Sequence, residues 1–229
     1  MSGTAMIEAS LRFRITFGTA RSLAYISVLE LGTIWERTLR RAHVPVRYSQ
    51  GFTPRPRMHF AAPLPVGCGT TSDLLDVTLD EPLTERELRD ALQGVTQPDL
   101  TVVAVTPVEE STPALSEQLI AAAYDVWLRD IDPAALHVAM TRLLDAEQLE
   151  LPRRGKGDRS YDLRPLILEL DLIPDLPSPW TGLRMLLQAR TGATGRPDDV
   201  LMALGFDTAP RRCTRTRLVL QTSPSEEER

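Results

Sequence analysis

Apolar and polar residues alternate over several short segments in the first half of the chain. In residues 11–17 (LRFRITF) every odd-numbered position is apolar, and Arg12, Arg14 and Thr16 lie between them. This period of two predicts a half-buried strand. Segments 58–62, 74–79 and 100–108 predict three further strands. Proline and glycine residues at 65–69 predict a turn that makes the second and third strands an antiparallel pair.

Two capping-box patterns predict helices between these strands. Ser27 followed by Glu30 opens a helix that reaches about residue 42, and Thr84 followed by Glu87 opens one that reaches about residue 93. The resulting order over residues 10–110, β-α-β-β-α-β, is that of a ferredoxin-like split βαβ unit.

The same order repeats after a polar, proline-containing linker at 109–115. Strands are predicted at 124–128, 166–172, 183–189 and 214–220, and helices at 132–146 and 197–204. A basic hairpin around Gly155-Lys156-Gly157 interrupts this second half. We therefore predict an α+β protein of two tandem ferredoxin-like units with antiparallel sheets, over residues 10–110 and 116–221, followed by a disordered tail at 222–229.

The segment between the first helix and the second strand is rich in proline, glycine and arginine. It reads RYSQGFTPRPRMHFAAPLPVGCG from Arg47 to Gly69. Proline stiffens the backbone, and Gly51 can adopt a positive φ without steric cost. The segment is therefore expected to hold donors for an anion or RNA at fixed positions: Arg47, Tyr48, Gln50, Arg55 and Arg57. An ordinary helix-to-strand connection is the alternative.

Further candidates for binding an anion or RNA fall into two groups. Arg40 and Arg41 end the first helix, where their charges also complement the helix dipole. Arg154, Lys156 and Arg164 lie in or beside the predicted basic hairpin, whose glycines would let backbone N–H groups approach an anion. A solvated hairpin tip is the alternative. We expect this cluster and the arginine-rich loop to lie on a common side of the molecule.

Catalytic chemistry is weakly indicated. Asp162, beside Arg164, could be a general base or a structural partner, and Tyr48 is the other candidate. Asp73, Asp76 and Asp80 are interpreted as solvated edge or hairpin residues. The chain has two cysteines without a CxxC motif and no phosphate-binding glycine motif, so we predict no metal site and no cofactor.

Charge is unevenly distributed within a net charge of −5. Residues 1–57 carry nine Arg against three Glu, whereas residues 58–110 carry two Arg against ten acidic residues. This asymmetry predicts one surface that attracts an anion, and the overall sign argues against indiscriminate nucleic-acid binding. No secretory or long apolar segment is present, which favours a cytoplasmic protein with no membrane association.

The block WERTLRRAHVPVRYSQGFTPRPRMHFAAPLPVG at 35–67 resembles the radical SAM-linked protein family, and YDLRP at 161–165 looks like a second family block. Members of that family are bacterial proteins of unknown function, encoded beside or fused to radical SAM enzymes. The resemblance therefore implies a radical SAM enzyme as partner. This chain has Ser27-Val28-Leu29-Glu30 where the family shows Ser-His-Leu-Asp, and it lacks the CxxxCxxC motif of the radical SAM enzymes themselves.

These observations support three functions. The first is an accessory RNA-binding module that presents substrate to a radical SAM partner, since RNA-binding modules share this sheet architecture. The second is an RNA- or nucleotide-modifying enzyme. The third is a protein–protein adaptor without nucleic acid, because arginine and aromatic residues also dominate protein interfaces.

Overall fold

The computed structural model describes residues 10–152 and 160–221, and the chain divides into two units between Gln118 and Leu119. The first unit contains β1 (Ser10–Thr19), α1 (Val28–Arg41), β2 (Met58–Phe60), β3 (Cys68–Leu83), α2 (Glu85–Leu92), β4 (Leu100–Pro107) and α3 (Leu115–Gln118). A 3₁₀ turn at Arg21–Tyr25 precedes α1.

The strands of the first unit form an antiparallel sheet in the order β4-β1-β3-β2. Helices α1 and α2 cover one face of this sheet, and their buried residues join those of the strands in a single core. Trp35 of α1 lies at its centre and meets Phe17 edge to face, with ring centroids 5.2 Å apart. The alternation predicted for β1 is confirmed, because Phe13, Ile15 and Phe17 are fully buried.

The second unit contains β5 (Leu119–Arg129), α4 (Pro133–Asp145), β6 (Glu150–Pro152), β7 (Ser160–Asp162), β8 (Ile167–Ile173), β9 (Trp180–Arg190), β10 (Ala193–Thr194), α5 (Pro197–Leu204) and β11 (Arg211–Leu220). Its strands pair in the order β8-β9-β5-β11, again antiparallel, and β10 pairs with β9. Strands β6 and β7 form a separate pair around residues 153–159, which lie outside the described part of the chain.

The predicted α+β class is confirmed, and the helix boundaries follow their sequence signals. Both capping boxes form, and Asp132 caps α4 with Pro133 in its first turn. Gly205 closes α5 with φ +80°. Strand β3 extends well beyond the predicted 74–79 because its first residues, CGTTS, are small or polar and carry no apolar alternation. The short elements α3 and β10 were not predicted.

The second face of the first sheet is polar, and two arginines hold an aspartate there. Arg14 donates to both carboxylate oxygens of Asp76, at 2.8 and 3.1 Å, and Arg12 donates to one of them at 2.9 Å. Arg12 also donates to the carbonyl oxygens of Thr112 and Pro113, at 2.6 and 3.1 Å. Asp76 is therefore a buried anchor for Arg12, and we call this group the Asp76 clamp.

The interpretation of three β3 aspartates as solvated residues is wrong for two of them. Asp73 and Asp76 are 1% and 3% exposed, and the Asp76 carboxylate is covered by Arg12 and Arg14 of β1. Only Asp80, nearer the end of the strand, is exposed. Spacing along the sequence did not show that arginines of the neighbouring strand would cover Asp76.

Ser27→Ala should lower the free energy of unfolding by about 1 kcal/mol at pH 7, because the N-cap hydroxyl is lost. Hydrogen bonds from the Ser27 backbone N–H and hydroxyl hold the pKa of Glu30 below its ordinary value of 4.5. These hydrogen bonds stabilise the folded state fully above pH 4.5, the ordinary pKa of Glu30. That stabilisation is lost as the pH falls through the lowered pKa of the folded protein. The variant loses the hydroxyl bond to the Glu30 carboxylate and the bond that the hydroxyl accepts from the Glu30 N–H. Only the first depends on the charge of Glu30, so the difference between the two proteins should shrink, but not vanish, in acid. Urea denaturation at pH 7 and pH 3 measures this, with Ser111→Ala as a loop control. An equal difference at both pH values would contradict a contribution from the hydroxyl bond to the Glu30 carboxylate.

Asp76→Asn should lower the free energy of unfolding by about 3 kcal/mol, since it leaves two half-buried guanidinium groups without their carboxylate. Asp125→Asn is the matched control on a strand of the second unit. Asp125 pairs with Arg184 and raises the pKa of that arginine, but the Arg184 side chain is 61% exposed, so a loss below about 1 kcal/mol is expected. Thermal or urea denaturation measures both losses of unfolding free energy. Equal losses for the two variants would show that the Asp76 clamp is no stronger than a surface ion pair.

Candidate nucleic-acid interface

The chain between α1 and β2 doubles back on itself in an antiparallel ribbon. Tyr48 pairs with Pro56 as an isolated bridge, and the Ser49 N–H donates to the Arg55 carbonyl at 2.8 Å. The Arg57 N–H donates to the Arg47 carbonyl at 2.8 Å. Gly51 at the tip has φ +144°, which confirms the positive φ anticipated there. We call residues 46–58 the arginine ribbon.

The arginine ribbon is fixed to the edge of the first sheet by backbone hydrogen bonds to β3. The Arg47 N–H donates to the Thr78 carbonyl at 2.8 Å, and the Thr78 N–H donates to the Arg57 carbonyl at 3.0 Å. Val46 forms a bridge with Leu79. The ribbon is therefore an extension of the sheet rather than a loose loop.

Extended backbone sends successive side chains to opposite sides, so the arginine ribbon has two different faces. Arg47, Ser49, Arg55 and Arg57 line a groove of about 790 Å³ on one side. Val46 and Tyr48 line a separate pocket of about 300 Å³ on the other, and Pro56 and Met58 contribute to both. The ribbon thus presents basic and polar side chains to the groove, and apolar or aromatic ones to the pocket.

The groove combines the ribbon with the polar face of the first sheet. Its lining residues are Leu11, Arg12, Arg47, Ser49, Arg55, Pro56, Arg57, Met58, His59, Asp76, Thr78, Glu110, Ala114 and Leu115. His59 of β2 lies opposite Asp76 in the register of the sheet. The Asp76 clamp therefore forms part of the groove wall, and the loop after β4 closes another side.

The arginines of the groove differ in how far their charges are already neutralised. Arg12 is paired in the Asp76 clamp, and Arg47 lies 3.0 Å from Asp80. Arg55 and Arg57 are exposed, and within residues 10–152 and 160–221 no carboxylate lies within 4.0 Å of either guanidinium. These two side chains give the groove donors that an incoming anion could bind.

The pocket on the other side of the ribbon lies against the C-terminal half of α1. Its lining residues are Glu36, Leu39, Arg40, His43, Val44, Pro45, Val46, Tyr48, Pro56 and Met58. Tyr48 is 39% exposed, so its ring is accessible from solvent. The pocket therefore combines apolar side chains with the polar groups of Glu36, Arg40, His43 and Tyr48.

The remaining predicted residues are placed as follows. Arg41 points away from both cavities and donates to the Val95 carbonyl at 3.1 Å, and Gln50 is exposed at the ribbon tip without lining either cavity. In the second unit, Arg164 donates to the carbonyl oxygens of Leu144 and Ile167, both at 3.3 Å. Arg154 and Lys156 lie outside the described residues. The expectation that the two basic clusters share one side stays a prediction.

The Asp162 carboxylate accepts hydrogen bonds from backbone N–H groups of the second unit. One carboxylate oxygen accepts from the Leu149 N–H at 2.8 Å and from the Arg164 N–H at 3.0 Å. These bonds hold the chain where β7 leads into the short 3₁₀ turn at Arg164–Leu166. They account for an aspartate at this position without requiring proton transfer.

Sequence reasoning did not place Arg12 or His59 in this site. The period of two placed Arg12 on the polar side of β1, but it indicated no ligand for that arginine. The available signal was that arginines interrupt the apolar residues of β1 at every second position. It could not show that β1 lies two strands away from the ribbon across β3.

Two further findings concern metal-ligand clusters and long apolar helices. Within the described residues, no group of three or more His, Cys, Asp or Glu side chains is arranged to hold a metal ion. No helix in the same part of the chain is long and apolar enough to cross a membrane.

Among solved structures, the chain is similar to one in the crystal structure of a Cbf5-Nop10-Gar1 complex. The TM-score is 0.51 at 9% sequence identity, and the match covers 90% of this chain and 48% of the other. This chain thus spans about half the length of that relative. At such low identity the similarity concerns the fold alone.

No curated protein matches the chain in sequence. Residues 12–197, which include the arginine ribbon and most of both units, match a family described as uncharacterized proteins conserved in bacteria. The chain therefore belongs to this family, DUF2344.

Proposed function

We propose that the first unit is an accessory RNA-binding module whose groove holds the sugar–phosphate backbone. The observation that carries this proposal is the convergence of Arg12, Arg47, Arg55 and Arg57 on one groove of about 790 Å³. Arg55 and Arg57 lack a carboxylate partner in the described part of the chain, so a phosphate would not have to displace an existing ion pair. Guanidinium groups are well suited to bind phosphate oxygens in pairs.

We further propose that each unit is a ferredoxin-like fold. The support is the β-α-β-β-α-β order of the main elements, with the first strand between the third and fourth and the second at the sheet edge, in both units. Sheets of this architecture bind RNA in several modules, where aromatic side chains on the sheet stack against bases. That parallel is one of fold and by itself fixes no function.

The polar face of the first sheet makes backbone binding more suitable than base stacking at that surface. It carries Arg12, Arg14, Thr16 and Thr78 where a stacking sheet would carry aromatic rings. Phosphate contacts supply affinity and register but little sequence information. The groove would therefore position RNA for a partner, and resemblance to the radical SAM-linked family makes a radical SAM enzyme the proposed partner.

Arg55→Gln combined with Arg57→Gln should weaken binding of a fluorescent single-stranded RNA and flatten its salt dependence. Each lost phosphate contact should reduce the log–log slope of affinity against salt by about 0.7. Fluorescence anisotropy titrations at several salt concentrations measure both effects. The free energy of unfolding should change little, because both side chains are exposed.

Arg37→Gln combined with Arg86→Gln is the matched control. Both residues are exposed on the helices of the same unit, so the variant loses the same charge away from the groove. Similar slopes for the two double variants would indicate nonspecific attraction and remove the groove from the proposal. Absence of RNA binding by the unmodified protein would favour the protein–protein adaptor.

A further inference from the structure

We propose that the 300 Å³ pocket behind the arginine ribbon receives one unpaired nucleobase, so that the ligand of this unit is single-stranded RNA. The inference rests on the proposed function, because it assigns a second part of the same ligand. It adds a base-binding site to the phosphate-binding groove. It also excludes a fully paired duplex as the preferred ligand.

The first argument is the position of the pocket relative to the groove. Pro56 and Met58 line both cavities, while Arg55 and Arg57 face the groove and Tyr48 faces the pocket. A nucleotide has a charged phosphate and a flat apolar base, and these parts need different surroundings. The ribbon supplies arginines on one side and apolar or aromatic side chains on the other, so one nucleotide could contact both.

The second argument is the composition of the pocket. Leu39, Val44 and Met58 form apolar walls, and Tyr48 presents a partly exposed ring. Ligand pockets typically begin near this volume and combine apolar walls with few polar groups. An aromatic side chain stacks on any base, because every base has a π face.

The third argument is the availability of hydrogen-bonding groups at the rim. Within the described residues, the side chains of Glu36, Arg40 and Tyr48 form no hydrogen bond with protein. A carboxylate accepts from the amino groups of bases, and a guanidinium donates to their carbonyl and ring nitrogen atoms. A base can enter a pocket and meet these groups there only when it is unstacked and unpaired.

The test uses a short RNA carrying one 2-aminopurine, with the full chain. Insertion beside Tyr48 should change the fluorescence of that base on binding, and the same strand in a perfect duplex should bind more weakly. Tyr48→Leu should lower affinity for the single strand about 5-fold or more. It should leave the salt slope unchanged, since the groove arginines are untouched. Tyr48→Phe should retain most of the affinity, because it keeps the ring.

Tyr25→Leu is the matched control, since Tyr25 is 71% exposed and lies outside the pocket. Unchanged 2-aminopurine fluorescence with unmodified protein, or equal affinity for single strand and duplex, would overturn the pocket assignment even if Tyr48→Leu failed to fold. If the salt dependence of binding still changed on substitution of Arg55 and Arg57, the groove would remain the proposed phosphate site. Only the assignment of the pocket as a base site would then be wrong. If the unmodified protein does not bind RNA at all, the proposed function itself is wrong.

Discussion

The alternation of side chains along extended backbone is the constraint on which the first unit depends. In β1 it sends Phe13, Ile15 and Phe17 into the core under α1 and α2, and it sends Arg12 and Arg14 to the other face. The same rule continues beyond the sheet, where it gives the arginine ribbon a cationic side and an apolar side. Core and candidate site are thus two consequences of one geometric rule.

Carboxylates decide which of the arginines remain available to a ligand. The buried Asp76 accepts two hydrogen bonds from Arg14 and one from Arg12. It thereby holds Arg12 in the groove wall. Asp80 pairs with Arg47 at a more exposed position, where water screens the interaction. The acidic residues of β3 form no ion pair with Arg55 or Arg57, so these two side chains remain available to donate to a ligand. The groove therefore combines a rigid cationic wall with two exposed donors.

Local sequence signals predicted the elements well and the arrangement of polar residues poorly. Capping boxes, the Asp132-Pro133 start of α4 and the terminal Gly205 are recognisable because each depends on hydrogen bonds within a few residues. The length of β3 and the burial of Asp76 depend on neighbouring strands, so short windows of sequence misjudged both. The grouping of Arg47, Arg55 and Arg57 could be suspected from their shared loop, but the roles of Arg12 and His59 could not.

The sequence by itself determined the α+β class, the order of helices and strands, and a stiff arginine-rich segment after α1. These follow from periodicity, capping residues and proline, which act over one or two turns of chain. Only the tertiary structure decided that the segment is a ribbon on the edge of β3, and that a groove and a pocket lie on its two sides. The physical reason is that strand register and pairing join residues far apart in sequence, such as Arg12 and Asp76, through contacts that no local pattern encodes.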